Sequence, residues 1–358
     1  MKKRKEYLLA QKEMGRRLLG VFPAQYPKEI LWAMNITPAE IWDPPGEISR
    51  ANAHLQPYIC SVVKSGLELI LSGKCEFVDG FLFPHTCDSI QNLASIVNDY
   101  LEVRKPCYFF YHPKAPYKAS SRRYYLEQLK RFIIALEKDM GPMDPQELKA
   151  RVNQGQVLEG LLNEVYRQRR NGTLSATNED FYRTLRRNEY LHPDDFIPLL
   201  DSFLVQTRGE ASSDPAVILS GVLPNPPELL SLLDHLGVRV ADDDFINCGR
   251  RLSLTGREHQ DSLEALADQY FSLPPCTTKD APVDERINAL TKKIDECGAK
   301  GVIFYMVKFC EPELFDVPLV SEAIKKLGLP VLMLDVEVNQ GLTGQLSTRV
   351  EAFVEMIS

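Results

Sequence analysis

The chain has 358 residues, long for one hydrophobic core, and its 44% apolar and 25% charged content is that of an ordinary globular protein, so two domains are expected. A formal charge of -7 without a long basic run excludes nucleic acid as the main partner, because phosphate binding needs clustered Lys and Arg. The apolar stretch after Met1–Lys5 is too short for a signal peptide and no run is long enough to span a membrane, so a cytoplasmic location is expected.

In chain order, the pattern predicts a polar helix over 3–17, an apolar stretch at Leu18–Phe22, and a helix from Pro27 to Met34, with Pro27 suited to a first helical position. Pro38–Trp42 reads as a strand running into the Asp43-Pro-Pro-Gly46 turn. Gln56–Cys60 reads as a further short strand-like segment before a helical run at Val62–Leu71. Phe77–Phe83, an apolar run containing Gly80 and stopped by Pro84, reads as a buried parallel strand. A helix over Ser89–Tyr100, a strand at Tyr108–Tyr111 and a long helix over 120–139 follow, and this alternation argues for a parallel sheet.

Gly141-Pro-Met-Asp-Pro145 breaks the pattern, and up to residue 208 the chain is helical, rich in Arg, Glu and Leu, with its charges read as a solvated face. After Ala211–Pro215 the alternation restarts: strands at Val217–Gly221, Val238–Asp242, Val302–Val307 and Val331–Asp335, and helices at Pro226–Leu236, Pro282–Cys297, Val320–Leu327 and Gln345–Ile357. Gly237 and Gly328 stand where left-handed helix caps are expected. The expected fold class is α/β: two doubly wound, Rossmann- or flavodoxin-like parallel-sheet domains, 1–140 and 211–358, joined by a helical bridge, 141–210.

Eight cysteines lie at 60, 75, 87, 107, 248, 276, 297 and 310. A reducing compartment and a large chain argue against disulfides. No CxxC or CxH pair is present, which excludes local zinc-finger and ferredoxin spacings. Cys75, Cys107 and Cys297 read as small buried hydrophobes. Cys60, Cys87 in His85-Thr-Cys-Asp88, and Cys310 before Glu311-Pro312 each end an element. Open α/β sheets bind ligands beyond the carboxyl ends of their strands, so these three are expected to meet in one place.

Several segments together resemble the 2-hydroxyacyl-CoA dehydratase and benzoyl-CoA reductase superfamily of oxygen-sensitive iron–sulfur proteins. They are Tyr26-Pro-Lys-Glu-Ile30, Tyr58-Ile-Cys-Ser-Val-Val-Lys-Ser65, Phe83-Pro-His-Thr-Cys-Asp-Ser-Ile-Gln91, Asp242-Asp-Asp-Phe-Ile-Asn-Cys-Gly-Arg250, Lys308-Phe-Cys-Glu-Pro312 and Gly344-Gln-Leu-Ser-Thr-Arg349. The HTCDS and KFCEP segments are the specific ones. The resemblance implies a 4Fe–4S cluster in the interdomain cleft, ligated by Cys60, Cys87 and Cys310, with one iron left open. It implies radical elimination of water from an acyl-CoA through a ketyl, after one-electron activation by a separate ATP-hydrolysing iron–sulfur protein. No Walker-type GxxxxGK[ST] is present, consistent with ATP being handled by that partner. A paralogous second subunit or a homodimer is implied as well.

Further site residues follow from the same segments. Glu29 occupies a position where the family carries a carboxylate near the substrate, and a partly buried carboxylate suits a proton acceptor; a first-turn glutamate favoured by the helix dipole is the alternative. His85 either orients substrate or hydrogen-bonds the cluster, or is a loop histidine bonded to backbone. Ser61, Thr86 and Ser89 either donate to cluster sulfides or cap the following helices. Asp242–Asp244 reads as a strand-end loop, with a metal site as the alternative, and Cys248 with Arg250 as a neighbour of the cofactor that does not ligate it. Asn35 and the spacing before Cys248 depart from the family pattern and leave the substrate open. Two other functional classes stay in view: a low-potential reductase of the benzoyl-CoA or double-cubane type, and a non-catalytic electron-relay subunit of a heterodimer.

Overall fold

Short apolar runs stopped by Gly or Pro become strands, and the amphipathic runs between them become helices that cover the strands. The computed structural model describes residues 3–101, 103–253 and 261–358. Helix α1 (Arg4–Glu13) leads into β1 (Arg17–Val21), α2 (Lys28–Ala33), β2 (Ile36–Glu40), α3 (Ser61–Leu71), β3 (Gly80–Pro84) and α4 (Asp88–Ser95), which continues as a π-helical turn over Ile96–Tyr100. Then come β4 (Cys107–Phe110), α5 (Ala119–Met140), α6 (Pro145–Arg170), α7 (Asn178–Leu185) and α8 (Pro193–Gln206). The remainder is β5 (Ala216–Gly221), α9 (Pro227–His235), β6 (Arg239–Phe245), α10 (Ser262–Ser272), α11 (Val283–Cys297), β7 (Gly301–Val307), α12 (Glu311–Lys326), β8 (Val331–Val336) and α13 (Gly344–Ile357). Among the described residues no helix is long and apolar enough to cross a membrane.

The expected α/β architecture is present as two four-stranded, wholly parallel sheets of the same design, ordered β2-β1-β3-β4 and β6-β5-β7-β8. The Leu18–Phe22 stretch supplies the central strand β1, and Pro38 is accommodated because β2 is an edge. Gly80 opens β3 because a side chain there would lie 2.8 Å from the Pro106 carbonyl oxygen. Gly237 and Gly328 have φ of 66° and 80°, the left-handed caps the sequence predicts.

The chain divides into two compact units: Met1–Glu159 with Arg187–Ile197 and Ser253–Leu273, and Gly160–Arg186 with Pro198–Leu252 and Pro274–Ser358. In the first, Leu19, Val21, Leu82 and Phe110 of the sheet pack with Ile30 of α2, Leu129 and Phe132 of α5, Val152 of α6 and Leu266 of α10. Tyr125 and Tyr270 stack at 4.4 Å and join α5 to α10. In the second, Ile218, Val302 and Phe304 pack with Leu290 and Ile294 of α11 and Val317, Val320 and Ile324 of α12.

Four expectations are corrected. Gln56–Cys60 is a turn with Tyr58 exposed, since Pro57 interrupts any strand. Asp242–Asp244 is no loop: all three lie inside β6 and are buried, because cations reach them from elements distant in sequence. Helix α12 starts at Glu311 rather than Val320, with Pro312 in the first turn where its missing N–H costs nothing. The charges of the bridge are not all solvated, for Arg169 is buried with its guanidinium on the Val240 and Ala176 carbonyls.

Candidate functional site

In the first unit the strand order reverses between β1 and β3, so the loops at their carboxyl ends flank a crevice, the usual ligand position of such sheets. The loop after β3 carries His85, Thr86 and Cys87. The His85 backbone N–H bonds to the Phe110 carbonyl, and its ring tilts 5.5 Å from the Tyr111 ring. Thr86 is buried and its hydroxyl donates to the Pro23 carbonyl oxygen at 2.8 Å, which joins the ends of the two strands. Cys87 takes the N-cap position of α4. Burial pushes its thiol up, opposed by the backbone N–H groups of Ile90 and Ser89. Cys60, buried, takes the same position on α3, followed by the buried Ser61.

In the second unit Cys310 stands at the N-cap of α12, just beyond the carboxyl end of β7. Phe309 before it has φ of 61°, a left-handed conformation uncommon for a bulky residue. Three residues after Cys310, the Glu313 carboxylate is held in a buried lattice. Arg250 donates to Asp244 at 2.7 and 2.8 Å and to Glu313 Oε1 at 2.5 Å, while Arg286 donates to Glu313 Oε2 at 2.8 Å and Asp244 Oδ2 at 3.1 Å. Burial opposes ionisation of both carboxyls, and the two guanidiniums overcome it, holding both below the usual carboxylate range. The lattice fixes the start of α12 and with it the backbone around Cys310. Cys248 is buried at the N-terminus of a 3₁₀ turn. Nearby, Asp243 Oδ2 accepts the hydroxyls of Tyr166 at 2.6 Å and Tyr182 at 3.1 Å. Burial first, then the charges of Asp243 and Cys248, push the Tyr166 hydroxyl well above its ordinary range.

Glu29 lies in the first turn of α2 and is only 6% exposed. Its carboxyl accepts its own backbone N–H and faces the Gln269 amide of α10 at 3.5 Å. Burial pushes the group up. Glu159 of α6, half-buried, shares Gln269 and accepts the Ser253 N–H at 2.5 Å; burial pushes its carboxyl up to about 7.

The eight cysteines are all free. Cys60 and Cys87 belong to the first unit, and Cys248 and Cys310 to the second. Within either unit no group of three or more His, Cys, Asp or Glu side chains among the described residues is gathered as a metal site. The chemistry of the donors fits an iron–sulfur group nonetheless. Cys60, Cys87 and Cys310 all precede the first residue of an α-helix, a position where free N–H groups and the positive end of the dipole suit an anionic group. Glu159 and Gln269 were not singled out by sequence; the mid-helix Gly155 facing Glu29 is the signal that could have pointed to them.

The family model described as "2-hydroxyglutaryl-CoA dehydratase, D-component" matches residues 23–357. The chain is similar to the (R)-phenyllactyl-CoA dehydratase beta subunit of Clostridium sporogenes, 23% identical over 99% of this chain and 95% of that one. It is 23% identical to the beta subunit of (R)-2-hydroxyglutaryl-CoA dehydratase from Acidaminococcus fermentans, over 99% of this chain and 96% of that one. It is 24% identical to a subunit of the benzoyl-CoA reductase of Thauera aromatica, over 96% of this chain and 91% of that one.

Proposed function

The chain belongs to the 2-hydroxyglutaryl-CoA dehydratase D-component family, and on that premise we propose that it is the iron–sulfur subunit of a 2-hydroxyacyl-CoA dehydratase-like lyase that eliminates water from an acyl-CoA. The match over residues 23–357 is the observation that carries the reading. The relatives bear the names of single subunits of larger enzymes, which supports a multi-subunit enzyme in which a paralogous chain or a second copy is the partner. Cys60, Cys87 and Cys310 would hold a 4Fe–4S cluster, which supplies one-electron chemistry when bound. All three cysteines stand at helix starts, Thr86 braces the loop that carries Cys87, and the Arg250 lattice braces the helix that carries Cys310. Glu29 is the proton acceptor, with His85 beside the substrate and Ser61 and Cys248 beside the cofactor. The electron comes from an ATP-hydrolysing iron–sulfur activator, and the reaction takes place in the cytoplasm.

The benzoyl-CoA reductase relative favours a second reading, an ATP-dependent reductase in which the electrons stay in the product. One experiment separates the two. The chain is purified without oxygen together with its partner subunit and supplied with 2-hydroxyacyl-CoA, activator, ATP and a strong reductant. The lyase reading expects about four irons and four sulfides per chain and an enoyl-CoA product. No enoyl-CoA from that substrate, but a ring-reduced product when benzoyl-CoA is supplied in its place, would favour the reductase, and iron-free protein after anaerobic reconstitution would overturn both.

A further inference from the structure

Several buried carboxyls of this chain lie directly against a cation: Glu40 on Lys28, Asp242 on Arg170 and Lys293, Asp244 and Glu313 on Arg250 and Arg286. Glu29 and Glu159 are placed differently. The groups bonded to them are the amide of Gln269 and backbone N–H groups of Glu29 and Ser253. Lys28, next to Glu29 in the chain, acts on it only at a distance, since its ammonium is engaged by Glu40 and by the Asn188 carbonyl at 2.6 Å. Among the described residues the remaining titratable neighbour is Tyr125 of α5, a fully buried phenol that feels the charge of Glu29.

The fold makes room for this arrangement. Gly155 stands inside α6 where a Cβ would come within 2.6 Å of Glu29 Oε1, so the glycine is the seat of that carboxyl. A glycine inside a helix is less stable than alanine, and the pocket makes it necessary. Gln269 is one helix away on α10; its amide nitrogen lies 3.5 Å from Glu29 Oε1, and its side chain also acts on the carboxyl of Glu159, which stands one turn beyond Gly155 on α6. Two neighbouring carboxylates without a cation cannot both ionise readily, and their titrations become coupled.

We propose that Glu29 and Glu159 hold one proton between them across Gln269 at neutral pH, which makes Glu159 and Gln269 positioning residues for the enzyme's proton acceptor. The consequence for turnover rests on Glu29 being that acceptor; the shared proton does not. Accepting a proton from the substrate carbon brings the pair to two. The C–O bond breaks with its electron pair on oxygen, and releasing one proton to the departing hydroxide forms water and returns the pair to one. Half-buried Glu159 and Gln269 give the pair a path for exchange that Glu29 alone lacks.

The test is an infrared titration of the purified chain between about pH 5 and 9, with glutamate carboxyls isotope-labelled. A protonated-carboxyl stretch that shifts in D2O is expected to persist at neutral pH. Glu29→Gln and Glu159→Gln are each expected to lower the midpoint of the remaining carboxyl by about one pH unit or more, a tenfold change in its protonation equilibrium. Gln269→Met keeps both carboxyls and is expected to raise the midpoint, because the lost amide donors favour the ionised forms. Absence of the protonated band in the unmodified chain, or midpoints unmoved by these substitutions, would overturn the proposal. With partner and activator, Glu159→Gln is expected to lower kcat about tenfold with little change in KM, as loss of a transition-state interaction does. Displaced titration with unchanged turnover would keep the pair and remove Glu29 as acceptor.

Discussion

The Thr86 hydroxyl donates to the Pro23 carbonyl oxygen at 2.8 Å, so the loop that carries Cys87 is fastened to the loop that leaves β1. Thr86→Val keeps the shape and removes the donor, leaving a buried carbonyl without that partner. The expected cost is ~1–2 kcal/mol, measured as a lower denaturant midpoint with unchanged slope. A midpoint equal to that of the unmodified protein would show that this fastening adds nothing.

Cysteine substitutions divide the eight residues. Cys60→Ala, Cys87→Ala and Cys310→Ala are expected to lower iron content in anaerobically reconstituted protein. Cys75→Ala, a buried residue outside the proposed set, is expected to keep its iron and cost on the order of 1 kcal/mol of packing. Cys248→Ala is expected to retain iron with altered activity, and iron loss there would move Cys248 into the ligand set.

Arg250→Met removes one of the two guanidiniums shared by Asp244 and Glu313 and leaves both carboxylates on Arg286 alone. At neutral pH the expected loss is up to ~3–5 kcal/mol, because a buried charge network loses one of its cations. The sign of its pH dependence follows from the depressed carboxyls. Their stabilisation is fully present above the ordinary carboxylate pKa of about 4 and is lost as pH falls through the lower folded values. The gap between variant and parent should therefore narrow in acid, and unfolding curves at neutral and acidic pH would reveal a constant gap if the carboxyls are not responsible.

His192 provides a second pH dependence, of a different origin. It is buried beside Trp32 and Arg16, and burial pushes its imidazole down to about 4 despite Asp194 Oδ2 at 3.0 Å. The unfolded chain takes up this proton near pH 6.5 and the folded chain only near the lower value, so stability falls as pH drops through that window, by on the order of 2–3 kcal/mol. His192→Asn should flatten the slope of stability against pH there, and an unchanged slope would assign it to other groups.

Sequence alone reached β3 and β7, the strands that end at the loops of Cys87 and Cys310, because Gly80 and Pro84 bound β3 and an apolar run makes β7; it misread Gln56–Cys60 as strand-like and began α12 at Val320 instead of Glu311. It missed α10 although the signal was there: Asp261 caps Leu263 and Glu264, and Leu266 and Tyr270 follow at helical spacing. The acids of β6 were unreadable for another reason. Their partners Arg170, Arg286 and Lys293 come from other elements, and three adjacent aspartates without them look like a loop. Glu159 and Gln269 are likewise joined only by the fold.

The first unit closes with Ser253–Leu273, after β5 and β6 of the second have already passed. During synthesis the first sheet is therefore complete when Phe110 emerges from the ribosome, yet α10, with Tyr270 for the α5 stack and Gln269 for the carboxyl pair, arrives much later. The nascent chain must keep an apolar face of α5 waiting, and no single cut in the gene yields either unit whole. Fragments made by dividing the chain near residue 140 or 210 should aggregate when expressed alone and recover only when produced together.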